Sequence, residues 1–241
     1  MPQLQLHHPH VWDLSPEAAT ILQMALAKQV CLNDALPEIK RVAGVDIAYG
    51  KNSEELIAGV VILDADSLQV LEKVHFIGTS VFPYVPGLFS FRELPPLLKA
   101  LEKLQFLPDL IVCDGHGQAH PRRLGLASHL GILLDLPTIG CGKTPLLKPL
   151  VEPGPERADQ SPIWLESEQV GVALRTQPQI RPVYVSAGHR ISLKTAIDWI
   201  LRLSPDYRQP ETTRQANSYV NQLREAHHSG PDKETEVTQT I

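Results

Sequence analysis

Between Ile111 and His129 the chain gathers one carboxylate, three histidines, two arginines and three glycines. Asp114 offers hard oxygen ligands, the His and Arg side chains offer charge-assisted donors to phosphate oxygens, and the glycines let backbone approach an ion or a phosphate closely. Two more carboxylates stand far away in sequence: Asp46, within Ala43-Gly-Val-Asp-Ile-Ala-Tyr49, and Glu93, at the end of Pro83-Tyr-Val-Pro-Gly-Leu-Phe-Ser-Phe-Arg-Glu93. Brought together, the three would repel one another and raise each other's pKa unless a cation sat among them. Such a trio implies a hard divalent ion, Mg2+ with Mn2+ as its substitute. The matching chemistry is phosphodiester hydrolysis, in which two metal ions about 3.5–4 Å apart polarise the phosphate, generate hydroxide and stabilise the leaving oxygen.

Several elements must position these groups. Ser15 and Pro16 supply a helix cap and first helical residue for an Ala/Leu-rich stretch to about Val30. Val42–Ala48, Leu56–Leu63 and Leu68 to about Phe82 read as strands of a β-meander, which puts Asp46 at the end of the first. Leucines at 94, 97, 98, 101 and 104 keep helical spacing. Leu110 to Asp114 is then a buried strand with Asp114 at its tip, Arg122–Leu134 a helix, and Pro137–Cys141 a strand ending at Gly142 and Lys143. Residues 148–162 read as a surface loop, Ile163–Leu174 and Pro182–Ser186 as strands broken by Gly188-His189, and Ser192–Leu203 and Pro210 to about Ala226 as helices. In a meander followed by a helix and a parallel strand, the first and fourth strands meet at the sheet centre, which places Asp46 beside Asp114 with Glu93 reaching in from the helix start.

Plainer readings compete. Asp46 could end a strand at a turn. Ser90-Phe91-Arg92-Glu93 fits a capping box, but Pro95 and Pro96 lack the amides such a helix needs, so the helix is expected to begin at about Leu94 and leave Glu93 free as a ligand. Lys143 could be a solvated loop lysine. His7, His8 and His10, in a proline-interrupted start, read as a loose terminus rather than a metal site.

At 241 residues and 43% hydrophobic, the chain suits one domain over residues 1–228, with a polar, disordered tail at 229–241. The net charge of −5 excludes a global basic field, so any nucleic-acid site is local. Three scattered cysteines read as reduced and buried, which suits the cytoplasm. No apolar run is long enough to span a bilayer, and the start lacks a basic segment leading into a signal core.

The ordered set of these segments, with Asp114-Gly-His-Gly-Gln-Ala-His-Pro-Arg-Arg-Leu-Gly125, Ala127-Ser-His129, Pro137-Thr-Ile-Gly140 and Val185-Ser-Ala-Gly-His189, resembles the endonuclease V family over roughly residues 15–225. The resemblance implies an α/β, RNase H-like mixed sheet flanked by helices. It also implies Mg2+-dependent nicking of the strand carrying deoxyinosine, at the second phosphodiester 3′ to the lesion. Asp46, Glu93 and Asp114 would be metal ligands and Lys143 the catalytic-site lysine. DNA containing deaminated bases is the implied partner, with inosine-containing RNA the alternative substrate; a binding module without efficient chemistry is the rival.

By the same resemblance, the loop from Pro83 to Phe91 is a strand-separating wedge, in which Pro83 and Pro86 stiffen the backbone, Tyr84 presents a ring and Gly87 with Leu88 meets the base. The loop's only polar side chains are Tyr84 and Ser90, so base reading falls to backbone amides and carbonyls. His120 and Arg122 are expected on phosphate or the product side, His129 either on nucleic acid or in packing, and His189 in support of the site. One departure stands out: Thr213-Arg-Gln-Ala-Asn217 ends in Asn217, where the family pattern has histidine beside the metal site. Asn217 can orient water or offer a carbonyl oxygen, but it does not titrate near neutrality.

Overall fold

The computed structural model describes residues 4–50 and 55–228. Strands β1 (Arg41–Tyr49), β2 (Glu55–Asp64) and β3 (Val70–Thr79) form the expected antiparallel meander. β4 (Leu110–Cys113) pairs parallel with β1, and β5 (Thr138–Gly142) parallel with β4. β6 (Gln160–Leu165), β7 (Glu168–Leu174) and β8 (Val183–His189) complete one eight-stranded sheet in the order β3-β2-β1-β4-β5-β8-β7-β6. Among the described residues five helices flank it, giving the anticipated mixed α/β, RNase H-like architecture.

α2 (Phe89–Leu101) and α3 (Leu126–Leu134) cover one face, where Ala43, Val45, Ile111 and Cys113 meet Leu94, Leu97, Leu130 and Leu133. α4 (Leu193–Arg202) and α5 (Glu211–His228) belong to the other, over Val42, Leu110, Val112 and Ile139. Strand residues alternate between faces, so Val42, Gly44 and Asp46 share the α5 side, as do Leu110, Val112 and Asp114. Gly44 makes the seating of α5 possible: a Cβ there would lie 2.0 Å from the Thr212 carbonyl oxygen. The remaining helix, α1 (Pro16–Ala27), is capped by Ser15 as expected, the hydroxyl accepting from the Ala18 amide at 3.2 Å.

Six local expectations are corrected. α2 begins at Phe89, not Leu94, although Pro96 removes the amide that would serve the Arg92 carbonyl; the Ser80 hydroxyl lies between that carbonyl at 3.5 Å and the Phe82 carbonyl at 3.3 Å. α3 begins at Leu126, because residues 121–123 form a turn with Arg123 at φ 55°. β1 continues to Tyr49, so Asp46 lies inside the strand, and β3 runs from Val70 to Thr79 rather than from Leu68 to Phe82. Gly188 and His189 do not break β8, which continues along Thr138. Nor are residues 4–13 loose: Leu4, Leu6 and Trp12 pack on the α2–α3 side, and the His7 amide donates to Leu133 at 2.8 Å. The proposed tail at 229–241 lies outside the described residues.

Candidate active site

The parallel register pairs Val45 with Cys113, which carries Asp46 and Asp114 side by side to the same end of adjacent strands. One strand further, Lys143 follows β5 and its ammonium meets Asp114 Oδ2 at 2.5 Å. Glu93 reaches the group from α2. It is buried, its Oε1 accepts the Tyr49 hydroxyl at 3.0 Å, and burial, opposed by that bond and reinforced by Asp46 and Asp114, drives its pKa well above the carboxylate range. Asp46 is raised to about 6, first by burial and then by Asp114. Its two oxygens are held by the Ile47 amide at 2.9 Å and by Asn217 Nδ2–H at 2.7 Å. Asn217 thus stands beside the carboxylates, carried there by the close seating of α5 on Gly44.

Among the described residues no three His, Cys, Asp or Glu side chains form a finished metal cage. The donor chemistry nevertheless fits a hard divalent cation: three carboxylates, from β1, from α2 and from just beyond β4, repel one another, and a cation among them would relieve that repulsion.

The Lys143 loop is fastened on both sides of the lysine. The Arg208 guanidinium donates to the carbonyls of Lys143 at 2.7 Å, Pro182 at 2.8 Å and Arg181 at 2.8 Å. His116 bonds the Thr144 backbone, and its ring lies against Gly142, where an added Cβ would come within 2.8 Å of Cε1. Gly142 therefore makes room for His116.

A cavity of about 340 Å³ begins one residue from this centre, lined by Gly115 and Thr144 on one side and by Tyr84, Gly87 and Ser90 on the other. Pro83, Tyr84 and Pro86 are exposed at its rim, with Tyr84 at 72%. The Leu88 side chain instead turns inward and packs with Phe82 and Phe91, so it anchors the loop. Gly87 adopts φ +81°, a conformation open to glycine.

His120 and Arg122, expected on phosphate or the product side, both brace this loop, and His120 lines the cavity. The Arg122 guanidinium donates to the Gly87 carbonyl at 2.7 Å, and its amide donates to His120 Nδ1 at 3.1 Å. That leaves the other ring nitrogen of His120 as the donor to Gly87, and burial with Arg122 nearby lowers this histidine to about 4.

His129 is a packing residue. It is fully buried between Phe91 and Trp12. Burial keeps it and His10 neutral, and the bonds fix one direction: Ser90 hydroxyl to His129 Nδ1 at 2.9 Å, His129 Nε2–H to His10 Nε2 at 2.8 Å, and His10 Nδ1–H to the Val11 carbonyl at 2.9 Å. His189 is also reassigned. The β5–β8 register sets it opposite Thr138, at the other end of β5 from Lys143, where it accepts from the Cys31 amide at 3.2 Å and donates to Asp135 at 3.2 Å. Tyr49, Gln23, His116 and Arg208 were not singled out from sequence. Tyr49 carried a signal, since it closes the Asp46 motif; Gln23 and Arg208 act through distant carbonyls that no local pattern reveals.

The family model for endonuclease V matches residues 24–218, which includes Asp46, Glu93, Asp114, Lys143 and Asn217. The chain belongs to the endonuclease V family. Endonuclease V of Nostoc punctiforme is 46% identical over 219 residues, covering 90% of this chain and 99% of that protein. The crystal structure of endonuclease V from Streptomyces avermitilis superposes with a TM-score of 0.86 at 43% identity, covering 94% of this chain and 100% of that one. Endonuclease V of Ciona intestinalis, solved in complex with a 24mer DNA containing an inosine followed by a ribo-adenosine, gives a TM-score of 0.75 at 26% identity, covering 86% of this chain and 96% of that one.

Proposed function

We propose that this chain is a metal-dependent DNA-repair endonuclease that nicks the strand carrying deoxyinosine at the second phosphodiester 3′ to the lesion, leaving a 5′-phosphate and a 3′-hydroxyl. The observation that carries the reading is the adjacency of two structures: a carboxylate trio, Glu93 buried and Asp46 and Asp114 half-buried, with a lysine, and a cavity walled by a stiff, aromatic-tipped loop. Asp46, Glu93 and Asp114 would hold Mg2+, for which Mn2+ substitutes, and the bound cation supplies phosphate polarisation and a hydroxide at neutral pH. Lys143 places positive charge where the phosphorane gains negative charge. Asn217 fixes the Asp46 carboxylate without itself titrating. His120 and Arg122 hold the loop that meets the base.

Lesion recognition follows from the cavity lining. α2 and α3 both start at the cavity without a side-chain cap; the Phe91 and Ala127 amides donate to the Leu88 and His116 carbonyls, while those of Phe89, Ser90 and Leu126, residues of the lining, supply donors to a base. Hypoxanthine presents an acceptor oxygen at position six, whereas adenine presents a donor there. Everting a weakly paired base also costs less than everting a well-paired one, and the exposed Tyr84 ring suits insertion into the gap left behind. The Ciona complex, whose inosine is followed by a ribonucleotide, favours inosine-containing RNA as a second substrate.

The test is nicking of a labelled duplex carrying one inosine, with a matched inosine RNA in parallel. Nicking should require Mg2+ or Mn2+, stop in EDTA and be lost in Asp46→Ala. Binding without any nick under either metal would establish the rival, a non-cleaving binding module.

A further inference from the structure

β1 sends successive side chains to opposite faces, so Asp46 and Tyr49, an odd number of residues apart, lie on opposite sides of the strand. Asp46 is on the α5 side and belongs to the carboxylate trio. Tyr49 is on the α2 side, where its hydroxyl donates to Glu93 Oε1 at 3.0 Å. The tyrosine is itself well fixed. Its backbone pairs with Leu56 in the β1–β2 register, and the Arg92 guanidinium, bonded to the Phe82 carbonyl at 2.6 Å, lies 5.3 Å from the ring centroid.

Glu93 needs an anchor of this kind. Pro95 and Pro96 give no amide to the Phe91 and Arg92 carbonyls, so the backbone around Glu93 lacks two of the bonds that stiffen a helix. Its side chain adds several torsions, and fixing them costs entropy. A carboxylate that is 5% exposed also has little water to bond, and the phenol gives one of its oxygens a hydrogen bond in water's place.

We infer that Tyr49 is a positioning residue: through the bond from its hydroxyl it orients the Glu93 carboxylate toward the cation, and so sets the affinity of the site for metal. The inference rests on the reading that Asp46, Glu93 and Asp114 hold a divalent cation. β1 then serves two of the three ligands, Asp46 directly and Glu93 through Tyr49. Removing the hydrogen-bond partner behind a metal ligand costs about 10–100-fold in metal affinity or activity. Phenylalanine at this position would keep the ring's packing and lose the anchor.

The test reads metal binding without turnover. Mn2+ affinity of the full chain is measured from the electron spin resonance of free Mn2+, with no nucleic acid present. Tyr49→Phe should bind Mn2+ about tenfold more weakly than wild type. In nicking of an inosine duplex, the Mg2+ concentration giving half the maximal rate should rise in step, while duplex affinity in EDTA is unaltered. In a Glu93→Ala background the same substitution should change Mn2+ affinity by less than about twofold, because the effect runs through the carboxylate. Unaltered Mn2+ affinity in Tyr49→Phe, or an equal loss in the Glu93→Ala background, overturns the inference. So does a Tyr49→Phe chain whose duplex affinity in EDTA falls along with its Mn2+ affinity, the mark of a general disturbance of the fold. A Glu93→Ala chain that binds Mn2+ as tightly as wild type overturns the reading of the trio and this inference together.

Discussion

Lys143 and Asp46 show what single side chains contribute and how each is checked. Lys143→Ala should lower kcat by about 10²–10³-fold, the range found when one charge-stabilising donor is removed, while affinity for an inosine oligonucleotide in EDTA changes little. Asp46 makes a stability prediction with a definite sign. Its pKa rises from 3.8 to about 6 on folding, so between those values the native state holds a proton the unfolded chain has lost, and stability falls as pH rises through that window. By pH 7, without divalent cation, the ionised carboxylate costs about 3 kcal/mol. Asp46→Asn should therefore melt higher than wild type in EDTA at pH 7, and the advantage should shrink toward zero below pH 4. A variant that melts lower at pH 7 would show that the carboxylate is stabilising there and that its raised pKa is wrong. Adding Mg2+ should raise the melting temperature of wild type and not that of the variant.

Among the elements, α2 carries the most consequence, because it brings Glu93 to the strand ends and forms a wall of the cavity. It is held from outside by a cluster in which Phe91 meets Phe82, Trp12, His10 and His129. The N-terminal segment is thereby part of the site's support. Phe91→Ala should cost about 3–5 kcal/mol in denaturant unfolding, in the range for a fully buried aromatic. Removing residues 1–14 should expose the same cluster and lower stability without touching any proposed ligand; a truncated chain as stable as the whole would contradict that role. Element boundaries were where the residue pattern misled. Pro95 and Pro96 argue against a helix starting at Phe89 by local rules, yet the packing of Phe91, Leu94 and Leu97 holds that start in place. Arg122 and Arg123 have ordinary helix propensity, but the turn that lets Arg122 reach Gly87 puts Arg123 at positive φ.

For the molecule as a whole, a net charge of −5 and a site in one cleft predict that docking depends on a few local cations. Affinity for an inosine duplex should fall with added salt, with a log–log slope of about −0.9 for each phosphate neutralised; a slope near zero would contradict phosphate-led docking. Among the described residues no helix is long and apolar enough to cross a membrane. What the sequence by itself determined was the β-meander followed by alternating helix and strand, the neighbouring positions of Asp46 and Asp114, and the approach of Glu93 and Lys143 to them. These follow from period-two and helical spacing and from residue chemistry, which are local properties of the chain. Only the tertiary structure decided where His120, Arg122, His129 and His189 point. A histidine or arginine has the same composition signal whether it faces a phosphate or a buried carbonyl, and the choice is made by partners far along the chain. Ser90 and His10 took His129 into packing, Asp135 drew His189 to the far end of β5, and Gly87 turned His120 and Arg122 inward. Gln23 is the extreme case, a helix residue with nothing local to mark it, whose two hydrogen bonds to the cavity walls exist only because the fold brings Gly87 and Leu124 together over α1.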